Sequence, residues 1–332
     1  MRALLSTHTG GPETLVLGDL PLPQPKADEI RIRVRACGVN YPDTLMIEDK
    51  YQFQPTRPFA PGGEVAGEVD AVGAEVTGFK TGDRVIGLCG WGGMAEYVVT
   101  KATKCVSIPA TMPYDEAAAF IFTYGTSHHA LQQRAALRAG ETLLVLGAGG
   151  GVGLAAVELG HALGARVIAA ASSGEKAALA VAHGADASVV YPRGPFDKAG
   201  TKALAEQFKK VCGANGANVV YDAVGGDYAE AALRATAWEG RFLVVGFPAG
   251  IPRIPLNLAL LKGCQIVGVF WGAFAEREPA ANQRNNQELV EMYSKGTLRP
   301  HVSARFPLAE GGAAINALAE RRVLGKLVVT ID

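Results

Sequence analysis

Short alternations of apolar and polar residues, broken by Gly and Pro, run through the first 120 or so residues: EIRIRVRACGV, GGEVAGEVDAVG, DRVIGL and AEYVVT. Period-2 patterning at that spacing predicts short strands with one buried face, and so a small β-rich domain. PLPQPKADE reads as a proline-stiffened connector within that domain. From residue 122 the grammar changes. TLLVLG leads into the helical pattern VGLAAVELGHALG, RVIAAA into GEKAALAVAHG, and ASVVY follows. Then come ANVVYDAVGG, the helical YAEAALRATA, GRFLVVGF and QIVGVF. Strands alternating with helices imply a parallel sheet wound on both faces. A helical NNQELVEMYSKG and a closing strand GKLVVTI remain, too short for a third domain and expected to return to the first. The expected division is therefore 1–121 with 271–332, and 122–270.

Composition narrows the class. A chain of 332 residues, 48% hydrophobic and 19% charged with 41 glycines, suits a compact two-domain α/β protein. Lys plus Arg and Asp plus Glu are equal at 32 each, which gives nucleic acid or an acidic membrane no electrostatic hold. MRALLSTHTGG lacks a signal-peptide core, and TLLVLGAGGGVGLAAV is too short and glycine-rich to span a bilayer. The five cysteines are odd in number, widely spaced and never C-x-x-C, so neither a disulfide framework nor a cysteine-rich zinc site is expected. A reduced, cytoplasmic protein is the expectation.

LGAGGGVG, residues 146–153, lies between a strand and a helix. Glycine there permits a sharp turn and lets a pyrophosphate approach bare N–H groups at the positive helix end. Gly150, Gly151, Val152 and Gly153 are the expected contacts, although Ala148 stands where G-x-G-x-x-G has its first glycine. A glycine-rich packing turn is the plain alternative; the flanking strand and helix favour a dinucleotide. Nineteen residues beyond Gly153, where an NAD site carries Asp or Glu, stands Ser172, followed by Ser173 and Lys176. Two hydroxyls and an ammonium suit the 2′-phosphate of NADP(H). Tyr191 ends the next strand and is expected at the same pocket or at the adenine.

The order of these parts, with ACGVNYPDTL, PGGEVAGEVDAVG, FKTGDRVIG, GGMAEYV, FTYGTSHHAL, YDAVGG and GVFWGAF, resembles the medium-chain dehydrogenase/reductase superfamily along essentially the whole chain. Within it the sequence looks most like the zinc-free quinone oxidoreductases, the zeta-crystallin-like branch. The resemblance implies a Rossmann-type doubly wound sheet and a β-rich GroES-like catalytic domain, with NADPH between them. The positions that hold catalytic zinc in the family's alcohol dehydrogenases carry Asn40, Gly63 and Phe120–Ile121 here, and Gly90-Trp91-Gly92-Gly93 runs on where a four-cysteine lobe would sit. No metal is expected. Cys37 is expected to be an inert core thiol, and His128 and His129 to be packing residues.

The resemblance further implies that Asn40 and Tyr41 approach the nicotinamide, Thr126 its carboxamide, and Val224, Phe247, Phe270 and Trp271 the lining of its pocket. Asp43 and Asp222 are expected to bind loop amides. Without a Lewis acid, the surviving hydride chemistry takes an acceptor that is already electron-poor, a quinone or an activated enone. Asn40 would orient, and Tyr51 is the candidate phenolic proton donor. An NADPH:quinone reductase leads over an enone or enoyl reductase, and over a cofactor-binding structural or RNA-binding protein with negligible turnover. QIVGVF reads as an edge strand able to pair across a homodimer.

Overall fold

The strand Glu29–Gly38 shows how the N-terminal alternation folds: Ile30, Ile32, Val34 and Ala36 are buried, while Arg31, Arg33 and Arg35 keep contact with solvent. In this computed structural model, which describes every residue except Arg322, the strand is central to a mixed sheet. Its neighbours run in the order Val302–Pro307, Lys326–Thr330, Glu29–Gly38, Glu64–Val72, Arg84–Leu88 and Cys105–Ser107, with Tyr97–Lys101 also paired to Glu29–Gly38. Ile30, Ile32, Val65, Val85, Met94 and Val329 form its fully buried core. The closing strand thus docks in the first unit, beside Cys37 and Gly38.

The second unit carries the parallel sheet, in the spatial order Ala187–Val190, Arg166–Ala171, Thr142–Leu146, Ala217–Asp222, Thr236–Val244 and Gln265–Gly268. Chain order reverses direction at Thr142–Leu146, and the strand's carboxyl end is therefore a topological switch point, where such sheets bind ligands. Leu144, Ile168, Val220, Phe208 and Phe242 fill one face. Phe208 comes from Lys198–Cys212, a helix opened by Asp197, whose carboxylate caps Gly200 N at 2.7 Å. Gln265–Gly268 is an edge strand, paired on one side only. Among the described residues no helix is long and apolar enough to cross a membrane.

The chain divides into residues 1–122, 286–295 and 299–332, and residues 123–285 with 296–298. The second unit thus runs past the boundary expected at 270. Trp271 causes the extension: its buried ring lies against Gly125, and its indole N–H donates to Asn282 Oδ1 at 3.0 Å. His129 stacks on Phe274 at 4.1 Å between centroids, and Gln133 bonds Asn285. These are contacts between segments far apart in sequence, so no periodicity announces them.

Candidate active site

The glycine loop is built by close approaches. Gly147 follows the strand Thr142–Leu146 with φ of +73° and makes the sharp turn, one position before the Ala148 that stands at the motif's first glycine. Ala148 N then bonds Ala170 O at 3.1 Å, and Gly150 N bonds Gly147 O at 3.0 Å. Gly150 is the N-cap of the helix Gly151–Ala162, and with no side chain it leaves the first-turn N–H groups uncapped. No acidic side chain stands in that turn. The helix starts hard against the loop: a Cβ on Gly153 would lie 2.2 Å from Gly147 O. Ser127, which the sequence pattern does not single out, donates to Val152 O at 2.9 Å and shares a 2.9 Å hydrogen bond with the buried Tyr221 phenol. That pair pins the helix start to the sheet, with the electropositive end facing out where an anion can meet it.

Ser172 and Lys176 are brought to the same place. Ser172 is exposed just past the strand Arg166–Ala171. Lys176 lies in the first turn of the helix Gly174–Ala182, and its stem covers the loop: a Cβ on Gly149 would meet Lys176 Cβ at 2.5 Å. Ser173 has a structural duty as well, because its hydroxyl oxygen caps that helix by accepting from Lys176 N at 3.3 Å. Tyr191 joins through its backbone, N to Ala171 O at 2.9 Å, while its ring is buried against Tyr228 at 4.9 Å.

Further along the carboxyl ends of the strands, Asp222 Oδ1 accepts from Val224 N and Gly225 N, both at 2.9 Å, the loop-amide role expected of it. Burial pushes its carboxyl up to about 6. Val224 sits over the loop, its Cγ2 3.0 Å from where a Gly147 Cβ would be. Phe247 and Phe270 are exposed, and Thr126 is half-buried in the helix Ile121–His128. Trp271 differs from this group, since its packing in the unit takes up both its ring and its N–H.

The first unit holds a buried polar cluster at the end of three adjacent strands. Asn40 follows Glu29–Gly38, Glu64 opens Glu64–Val72, and Lys326 opens Lys326–Thr330. Lys326 Nζ donates to Asn40 Oδ1 at 2.6 Å and Val39 O at 2.9 Å, and lies 3.9 Å from Glu64 Oε2. Asn40 Nδ2 donates to Gly38 O and Glu64 Oε2, each at 3.3 Å, and Glu64 Oε1 accepts from Phe122 N at 2.7 Å. Asp43 accepts from Asn40 N at 2.8 Å and Gly62 N at 3.1 Å, holding the start of the helix Tyr41–Ile47. Burial drives the Lys326 ammonium down and lifts Glu64 to about 7 and Asp43 to about 6, while attraction between the lysine and each carboxylate opposes these shifts. The hydrogen bonds all favour the charged forms. Sequence reading passed over Lys326; a lone charge heading GKLVVTI was its only signal.

Tyr41 is half-buried beside this cluster, and Tyr51 packs partly on the unit's core with its ring 5.8 Å from Phe53. Burial and the charge of Asp43 raise the Tyr51 phenol, which keeps its proton. Cys37 is fully buried, and desolvation raises its thiol well above the ordinary range, as an inert core residue requires.

Comparison with known proteins agrees with this architecture. The Alcohol dehydrogenase GroES-like domain family matches residues 26–110, and the Zinc-binding dehydrogenase family matches 151–286. A Bos taurus protein named Quinone oxidoreductase-like protein 2 is 40% identical over 305 residues, 91% of this chain and 85% of its own. A Quinone oxidoreductase of Pseudomonas aeruginosa is 37% identical, covering 96% of both chains. The chain belongs to the medium-chain dehydrogenase/reductase superfamily, in its quinone oxidoreductase-like branch. Among solved structures, the mycobacterial protein Rv1454c complexed with NADPH is similar with a TM-score of 0.92 and 30% identity over 99% of this chain and all of that one.

Zinc, which one matching family is named for, does not fit the residues of this reductase. Asn40 Oδ1 already accepts from an ammonium, and Gly63 has no side chain. Burial lifts the Cys89 thiol to about 12. Among the described residues, no three His, Cys, Asp or Glu side chains are grouped to hold a metal ion.

Proposed function

We propose that this chain is an NADPH-dependent, zinc-independent quinone oxidoreductase. The observation that carries the reading is the Lys326 ammonium bonded to Asn40 where a metal-dependent dehydrogenase needs ligands. With no Lewis acid to stabilise an alkoxide, the acceptor must itself be electrophilic. NADPH, when bound, would supply the hydride that, with a proton, reduces a quinone to the hydroquinone and leaves NADP⁺. The names of the relatives and the NADPH in the mycobacterial structure support the assignment. The loop Gly147–Gly153 would hold the pyrophosphate, and Ser172 with Lys176 the 2′-phosphate. Asn40, Tyr41, Thr126, Val224, Phe247 and Phe270 would surround the nicotinamide, and Tyr51 or water would supply the proton. Among the described residues no two of the five cysteines are joined in a disulfide, which suits a reducing cytoplasm.

The test is NADPH oxidation over a panel of quinones and enones, with products identified and a strong chelator present. Hydroquinone formation undiminished by the chelator is expected. One zinc per chain with chelator-sensitive turnover overturns the reading, and a saturated ketone as the main product moves it to enone reduction.

We further infer a homodimer closed through the edge strand Gln265–Gly268. The adjoining surface is apolar: Leu260 is 79% and Trp238 70% exposed, and Trp238 covers Gly263 at the end of the helix Asn257–Lys262. Side chains of that size left in water beside an unpaired strand mark a contact surface. Sedimentation should give a dimer for the wild type and a monomer for Leu260→Asp. An unchanged mass for the variant excludes this face.

A further inference from the structure

Lys326 is buried, 6% exposed, and its ammonium is spent on contacts within the chain, to Asn40 Oδ1 and Val39 O. A buried ion pair is weak as a source of stability, since apolar residues of similar volume often serve the fold as well. What this one does is local. Strand register sets Val328 against Gly38, with Val39 N bonded to Leu327 O at 3.0 Å, so Lys326 extends past the strand end toward Val39 and Asn40. Its ammonium then meets the Asn40 carboxamide at 2.6 Å. An ammonium only donates, so it admits one of the two amide orientations, with Oδ1 inward and Nδ2 toward Gly38 O and Glu64. The backbone of the same residue is held by Asp43. Asn40 is thus fixed at both ends, and it is the N-cap of the helix that carries Tyr41.

We propose that Lys326 is a positioning residue: its ammonium serves as the built-in cation of the catalytic unit, locking Asn40 and the start of the helix Tyr41–Ile47 in the geometry that receives the nicotinamide. The proposal rests on the function assigned above for its kinetic consequence only. Its structural consequence belongs to the ligand-free chain.

Two readouts on Lys326→Met, a neutral side chain of similar length, test it. In ligand-free protein, hydrogen exchange across 39–47 should quicken at least tenfold while that of the strand Thr142–Leu146 stays as in the wild type. In turnover with NADPH and a quinone, kcat should fall at least tenfold with the KM for NADPH within twofold, because the phosphate contacts lie on the other unit. Adding Lys326→Met to Asn40→Ala should cost less than a further twofold, since the lysine acts through that amide. If Lys326→Met does not accumulate as folded protein, Glu64→Gln/Lys326→Met removes the orphaned carboxylate as well and takes the same measurements. Wild-type exchange across 39–47, or losses that multiply in the Asn40→Ala background, overturns the proposal. A wild type that oxidises no NADPH with any quinone defeats the functional reading instead, and the exchange measurement still decides the role of Lys326.

Discussion

Changing Ser172 to Asp and Lys176 to Ala together should turn an NADPH-preferring enzyme into one that uses NADH at least as well. The 2′-phosphate carries nearly two negative charges at neutral pH, and the lysine stem already lies on Gly149 beside the phosphate loop. The base of the side chain is therefore already placed beside the loop. Charge-assisted bonds between an ammonium and a phosphate are worth about 1.5–3 kcal/mol, roughly tenfold to a hundredfold in affinity. NADH has no phosphate with which to gain that energy. Lys176→Ala alone should therefore weaken NADPH and leave NADH nearly unchanged. Ser172→Asp adds repulsion of the phosphate and offers a carboxylate to the free 2′-hydroxyl of NADH. Ser173 is left in place because it caps the helix that presents Lys176. The ratio of kcat/KM for the two cofactors measures the outcome, and raising the salt concentration should narrow the wild-type preference. A ratio unmoved by Lys176→Ala would show that the ammonium does not see the phosphate.

The second large effect is expected at Gly153. A Cβ there would stand 2.2 Å from Gly147 O, 2.7 Å from Gly147 C and 2.9 Å from Ala148 Cα, all backbone atoms with no rotamer to yield. Gly153→Val must push the helix Gly151–Ala162 off the loop, which moves the N–H groups proposed to meet the pyrophosphate. Overpacking of this kind costs about 1–3 kcal/mol, and NADPH affinity should fall at least tenfold with the melting temperature several degrees lower. Gly150→Ala is the internal control. Its nearest neighbour would be Gly147 O at 3.5 Å, an ordinary contact, and its φ of −93° suits any residue. It should bind NADPH within a fewfold of wild type. Fluorescence titration with NADPH and thermal melts of both variants check this; wild-type binding by Gly153→Val would mean that the loop is not the cradle described.

What the sequence determined by itself follows from interactions that are local along the chain. Alternation in EIRIRVRACGV marks a strand because one face of a pleat must be dry, and the runs around LGAGGGVG mark strand, turn and helix because glycine alone tolerates that turn. The absent carboxylate after VIAAA, and the Ser172, Ser173 and Lys176 that stand in its place, lie within a few residues of one another. Which glycine of the run makes the sharp turn is not written in it; the structure gives the positive φ to Gly147.

Tertiary structure alone decided the rest, for one physical reason. A buried charge or an amide is defined by what packs on it, and those partners come from anywhere in the chain. Lys326 is 286 residues from Asn40, and only the pairing of the closing strand beside Gly38 brings them together. Trp271 gives no hint in the sequence that its ring lies against Gly125 and its indole N–H on Asn282. Ser127 reads as one polar residue in a helix, and becomes a pin for the start of the helix Gly151–Ala162 once Tyr221 and Val152 lie at 2.9 Å. The sequence specifies which residues can carry charge and which can turn. Where a charge is dry, and which carboxamide it holds, is settled when three strands meet at one end of a sheet.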